Sequence, residues 1–176
     1  MLNQSLLVGL LVASLTCGSS SPGMADSGSA ESKASVGKAT SVVDGSRVAM
    51  DQHGNSHGWL PEAGAITLVD FAASWCGPCR ETLPKLQRFA ESHPEVRVLV
   101  ISVDEQKEGR DALVADLQLK VPVLWDQGHR AAEHYRPGGM PSTFLFDATG
   151  EQVLSYVGSS KKDWQKLVRQ VESLSP

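Results

Sequence analysis

The feature that most narrows what this chain can fold into is a pair of cysteines three apart, Cys76 and Cys79, set close behind an apolar run. Ile66 to Ala72 (Ile-Thr-Leu-Val-Asp-Phe-Ala) is interrupted by one acid, Asp70, and reads as a central, buried strand. Beyond the cysteines, Leu83, Leu86, Phe89 and Ala90 recur at helical spacing, so Trp75-Cys76-Gly77-Pro78-Cys79 opens a helix that runs to about Ser92. A strand feeding a helix this closely commits both to one α/β unit with the cysteines at the junction. The chemistry of that junction is definite. Unpaired N–H groups and the macrodipole at a helix start favour the thiolate of Cys76, the form that attacks disulfides. Cys79, one turn deeper on the same face, is placed to resolve a mixed disulfide formed on Cys76.

Two other uses of a C-x-x-C pair stand beside this one. In a zinc site it supplies half of a four-ligand set, and the chain has no second C-x-x-C; His53 and His57 lie four apart around Gly54-Asn55-Ser56. Those histidines read as a surface turn or as completion of a copper or zinc site. A purely structural disulfide is the other use, and it leaves Trp75, Gly77 and Pro78 without a reason. Asp70 needs its own account. An acid in the middle of an apolar strand is costly without a partner or a task, and desolvation raises its pKa toward the general acid/base range. The alternative is an Asp at a strand end that reaches solvent.

The remaining pattern alternates strands and helices. Val96 to Val103 reads as a second buried strand and Val121 to Trp125 as a short third, while Ser142 to Phe146 and Gln152 to Val157 flank a hairpin loop, Asp147 to Glu151. Glu108 to Leu119 carries Ala112, Val114 and Leu117 at helical spacing, and Gly128 to Tyr135 reads as a short helix. Ser160 and Asp163 form a capping box ahead of Trp164, Leu167, Val168, Val171 and Leu174, one apolar stripe that reads as core. Ahead of all this, Ala49 to Gly54 reads as a strand and turn. The predicted fold class is α/β: a central mixed β-sheet flanked by helices, with an N-terminal strand or hairpin extension.

The chain has 176 residues, 16 Lys and Arg against 20 Asp and Glu, and 41% apolar residues, which suits one soluble domain and argues against a general nucleic-acid binder. The first forty residues belong to something else. Leu6 to Leu15 is an apolar run well short of the roughly 20 residues that span a bilayer, and it reads as a signal-peptide core. Two processing routes are open: cleavage after Ala25, making residues 1–25 the signal, or lipid modification of Cys17 with a signal of residues 1–16. Residues 18–41 hold 8 Ser, 4 Gly and 4 Ala among 24, so residues 26–41 read as a flexible linker, ahead of a folded domain over 42–176. Export to a bacterial periplasm or cell envelope follows, with a membrane tether if Cys17 carries lipid.

Leu68-Val69-Asp70-Phe71-Ala72-Ala73-Ser74-Trp75-Cys76-Gly77-Pro78-Cys79, with Pro84 beyond, resembles the active-site strand and helix of thioredoxins. Val121 to Asp126, Tyr135, Gly139-Met140-Pro141-Ser142-Thr143-Phe144-Leu145-Phe146-Asp147, Gly150 and Gly158 resemble the exported TlpA-like thiol:disulfide interchange branch. The likeness covers about residues 45 to 174. It implies a thioredoxin fold, with Cys76 as nucleophile, Cys79 as resolving thiol and Asp70 as the buried carboxyl that exchanges protons with Cys79. It implies a cis Pro141 facing the disulfide, and a substrate-binding surface of Trp75, Gly77, Pro78, Met140 and Pro141. No cofactor beyond the redox-active disulfide is implied. The expected partners are protein disulfide substrates and a membrane thiol electron donor. Two positions depart from the pattern: Val100 stands where thioredoxins pair their buried Asp with a Lys, and Thr82 where many TlpA-like proteins carry a Glu. The leading expectation is an extracytoplasmic reductase of protein disulfides, with an oxidase or isomerase, or a copper-handling protein, as alternatives. A peroxidase is disfavoured because the Pro-x-x-x-Thr-x-x-Cys setting is absent.

Overall fold

Strand β3, Ile66–Ala72, has all seven residues buried and forms the centre of the structure, a computed structural model that describes residues 45–175. The segments read as signal (1–25 or 1–16), Cys17 and linker (26–41) lie outside the described residues. Ahead of β3, β1 (Val48–Met50) and β2 (Ser56–Gly58) pair antiparallel as a separate hairpin. After it come α1 (Gly77–Ser92), β4 (Val96–Ser102), α2 (Lys107–Leu117), β5 (Val123–Trp125), α3 (Arg130–Tyr135), β6 (Ser142–Phe146), β7 (Gln152–Val157) and α4 (Lys161–Leu174). The five-stranded sheet has the order β5-β4-β3-β6-β7. β3, β4 and β5 run parallel through helical crossovers, whereas β6 and β7 run antiparallel to their neighbours, as the short loop between them requires. This is the mixed α/β architecture of a thioredoxin fold.

Helices α1 and α4 present their predicted apolar faces to the core, whereas α2 does so only in part: Ala112 is exposed, Val114 and Leu117 are half-buried, and the residues it buries are Arg110 and Leu113. α1 buries Leu83, Leu86 and Phe89, and α4 buries Leu167 and Val171. Half of the predicted capping box forms: the Ser160 hydroxyl accepts the Asp163 N–H at 3.1 Å, while the Asp163 carboxylate accepts that hydroxyl and not the Ser160 N–H. Some boundaries differ from the sequence reading for local reasons. β4 stops at Ser102, and β5 starts at Val123 because Pro122 has no N–H to give the ladder. The predicted short helix over Gly128 to Tyr135 is divided: Gly128 and His129 take positive φ, 73° and 55°, and only then does α3 begin. Buried Asp126 holds that start, accepting the N–H groups of Ala131 (2.9 Å) and Ala132 (2.8 Å).

The N-terminal extension is tied to the sheet by side chains that imitate backbone. Gln52 accepts from Val123 N at 2.8 Å and donates to Val121 O at 2.9 Å. The buried Arg110 guanidinium bridges Met50 O (3.2 Å) and Val123 O (2.9 Å). On the other side, the Tyr135 hydroxyl donates to Trp59 O at 2.7 Å, and Arg97 donates to Leu60 O at 3.1 Å. His57, weighed above as a metal ligand, instead lies 2.9 Å from the Asp51 carboxylate. Burial would raise the Asp51 pKa, but hydrogen bonds from His57, Asn55 and His53 overcome it and hold this carboxyl well below the usual range. Among the described residues no three His, Cys, Asp or Glu side chains gather into a metal-binding group.

Candidate active site

Helix α1 begins immediately after Cys76, which is its N-cap in extended conformation, and Pro78 occupies a first-turn position where a missing N–H costs nothing. The Cys76 sulfur accepts the Cys79 N–H at 3.1 Å, the hydrogen bond an N-cap side chain makes, and it is bonded to the Cys79 sulfur across a Cα–Cα distance of 5.3 Å. In the reduced chain the same N–H and the start of a 16-residue helix favour negative charge on Cys76. Although Cys76 stands at the helix start, it is only 4% exposed against 0% for Cys79, because its sulfur is turned to the Cys79 sulfur and N–H. Trp75 is the exposed member, at 68%, and Gly77 and Pro78 are also open to solvent.

The loop ahead of the cysteines is clamped by residues that the sequence reading did not single out. Buried Asp104, just past β4, accepts the Ser74 N–H at 3.0 and 3.1 Å, the Ser74 hydroxyl at 2.6 Å and the Ser102 hydroxyl at 2.7 Å. Arg80 donates to Ser74 O at 3.4 Å while paired to Asp116 at 3.0 Å. A polar Ser-x-Asp ending an apolar strand was the available signal. The Met140–Pro141 peptide ahead of β6 is cis, Pro141 is buried and Met140 half-buried. That turn is fixed by Ser142 donating to Gly139 O (2.7 Å) and by Gly158 N donating to Pro141 O (2.8 Å). A Cβ at Gly139 would lie 3.1 Å from the exposed Val157 side chain, so the turn passes close to β7.

Asp70 lies in mid-strand, 3% exposed, so the solvent-reaching alternative is excluded. Its Oδ1 accepts the Thr143 hydroxyl at 2.6 Å, and its Oδ2 has no hydrogen-bond partner among the described residues. Burial drives the carboxyl up to about 7, against the lowering effect of the Thr143 hydrogen bond. Its partner across the β3–β4 register is Val100, as the sequence alignment implied, so no lysine stands there. Asp70 instead lines a cavity of about 330 Å³ with Thr82, Lys85, Pro141, Thr143 and Tyr156 among its walls. Thr82 turns its hydroxyl back to Cys79 O at 3.2 Å. A buried acid whose pKa lies near neutrality has the protonation equilibrium that general acid/base work requires.

The chain is similar to known proteins over most of the described domain. Residues 49–153 match the AhpC/TSA family, a span that includes Asp70, both cysteines and Pro141. A thioredoxin H-type of Oryza sativa subsp. indica is 35% identical over 107 residues, covering 61% of this chain and 69% of its own length. The thiol-disulfide oxidoreductase ResA of Geobacillus kaustophilus (strain HTA426) is 27% identical over 131 residues, covering 73% of this chain and 74% of its own. A solved structure from Chlorobium tepidum, assigned as a thiol:disulfide interchange protein DsbE, superposes with a TM-score of 0.67 at 25% identity over 72% of this chain and 91% of that one. A paired Cys76 and Cys79 at a helix start, matched over that span, mark a chain that belongs to the AhpC/TSA family of the thioredoxin superfamily and is a thiol:disulfide oxidoreductase.

Proposed function

We propose that this protein is an extracytoplasmic reductase of protein disulfides. The observation that carries the reading is the Cys76–Cys79 pair at the α1 start, where the Cys76 sulfur is the N-cap acceptor and Cys79 is the more buried partner. The Cys76 thiolate attacks a client disulfide; that S–S bond breaks, one client sulfur leaves as a thiolate, and a mixed disulfide forms. Cys79 then passes its proton to Asp70 and attacks the Cys76 sulfur. The second client sulfur leaves, the Cys76–Cys79 disulfide forms, and two electrons have passed to the client. Exposed Trp75, Gly77 and Pro78, with Met140 and Pro141 on the turn ahead of β6, form the surface against which the client lies.

Direction is argued from the residues between the cysteines. Gly77-Pro78 places no cation beside the thiolate, so the reduced form gains less stabilisation than in strong oxidants. Equilibration against glutathione should give a potential on the reducing side of roughly −200 mV; a value near roughly −120 mV would make the protein an oxidase. A reductant in an oxidising compartment draws its electrons from a membrane thiol donor. A Cys79→Ser variant should accumulate mixed disulfides with clients while Cys76→Ser accumulates none, and the reverse pattern would exchange their roles. Export is supported by the Leu6 to Leu15 run. Mass spectrometry of the native N-terminus reads the address: acylated Cys17 means a tethered enzyme, Asp26 a soluble exported one, and an intact Met1 in the cytoplasm overturns export.

A further inference from the structure

One row of side chains crosses the whole sheet in register. Val123 of β5 stands beside Val100 of β4, Val100 beside Asp70 of β3, Asp70 beside Thr143 of β6, and Thr143 beside Tyr156 of β7. Residues opposite one another in register point to the same face, so these five side chains share one environment. The row is apolar on one flank of Asp70 and polar on the other. In this row β4 and β5 contribute only Val100 and Val123, and among the described residues the carboxyl's hydrogen bond comes from Thr143, at 2.6 Å on Oδ1. Oδ2 has no partner among the described residues although Asp70 is only 3% exposed. The cavity beside it has buried walls at Leu86, Pro141 and Thr143 and opens between exposed Lys85 and Lys161.

We propose that Thr143 is a positioning residue for thiol exchange: by gripping Oδ1 it fixes the Asp70 carboxyl and leaves the unpartnered Oδ2 as the oxygen that takes up and releases the proton. The argument is one of valence. A threonine hydroxyl has a single hydrogen, and at 2.6 Å it is given to Oδ1, which stabilises the carboxylate and stops the group from rotating about its last bond. A carboxyl held at one oxygen exchanges its proton at the other. The titratable and charged groups that line the cavity with it are Lys85 from α1, Tyr156 from β7 and Lys161 from the start of α4; β4 contributes the apolar Val100. Tyr156 is itself half-buried and held protonated, its pKa pushed up to about 12 by burial, so it does not compete for the proton near neutrality. Among the described residues Thr143 therefore supplies the hydrogen bond that favours the ionised acid. This inference rests on the reading of Asp70 as the proton acceptor for Cys79.

The test separates the two claims. In oxidised protein carrying carbon-13-labelled Asp, the carboxyl signal that disappears in Asp70→Asn reports the ionisation of Asp70 with no chemistry involved. Thr143→Val keeps the shape and removes the donor, so the Asp70 midpoint should rise by about one pH unit. The single-turnover rate at which Cys79 resolves a preformed mixed disulfide on Cys76 should fall about fivefold at pH 7 and recover by pH 9, because the variant holds less ionised Asp70 only below its raised midpoint. Thr143→Ser, which keeps the hydroxyl, should restore both readings, and Thr143→Ala should repeat the Val result if the Val variant folds poorly. An Asp70 midpoint that stays or falls in both Val and Ala variants overturns the positioning role, as does a Ser variant that behaves like them. A resolution profile that is the same in Asp70→Asn as in the native chain overturns the proton-acceptor reading itself, whatever Thr143 does to the titration.

Discussion

Replacing Asp70 with Asn should stabilise the oxidised protein progressively as pH rises. In the unfolded chain this carboxyl loses its proton near the ordinary value of 3.8, whereas in the folded chain burial holds the proton until about 7. Between those values the folded state binds more protons than the unfolded state. The raised pKa therefore contributes stability that is fully present below about pH 4, declines as pH rises, and is lost above about pH 7. A difference of about three pH units at 1.36 kcal/mol each amounts to about 4 kcal/mol, of which about 3 kcal/mol falls between pH 5 and pH 9. Asn keeps the side-chain volume and can still accept the Thr143 hydroxyl at Oδ1, but it has no charge to desolvate. Urea unfolding of both proteins at pH 5, 7 and 9 measures the effect, and every titration the two chains share cancels in the subtraction. The difference should move in favour of Asp70→Asn by about 3 kcal/mol across that range, a relative shift in midpoint of about 1.5 M if m is about 2 kcal/mol/M. A difference that stays constant with pH would show that Asp70 ionises as easily folded as unfolded, and the buried-acid argument would fall with it.

Gly109→Ala should destabilise the protein by about 1–3 kcal/mol, although Ala is the better helix former. Its Cβ would lie 2.6 Å from the Asp104 carboxyl carbon, which four hydrogen bonds from Ser74 and Ser102 hold in place; a stabilised variant in chemical denaturation would show that this clamp yields freely. Ser160→Ala removes the N-cap acceptor of α4 and should cost about 1 kcal/mol, read from the urea midpoint, with Ser160→Asp recovering most of it. Leu167→Ala empties a fully buried site and should cost about 2–5 kcal/mol in the same assay; a loss under 1 kcal/mol would mean that α4 is not packed as described.

What the sequence determined by itself is what depends on neighbours along the chain. The apolar run Ile66–Ala72, the helical spacing behind Cys76, the Ser160–Asp163 box and the Asp147–Glu151 loop each carry their structural signal within a few residues, and the structure has β3, α1, the α4 cap and the β6–β7 hairpin at those places. The redox pair was legible for the same reason, since thiol chemistry here needs only two cysteines one turn apart at a helix start. Tertiary structure decided everything that joins distant segments. Asp70 and Thr143 are 73 residues apart and Ser74 and Asp104 are 30 apart, and only strand register and the β3–β4 pairing bring them within hydrogen-bond distance. The anchoring of the N-terminal hairpin by Gln52 and Arg110, and the near-complete burial of Cys76, were equally invisible in the chain. A polar side chain in sequence declares what it can bond; which partner it meets, and how much water is left around the pair, is settled by packing.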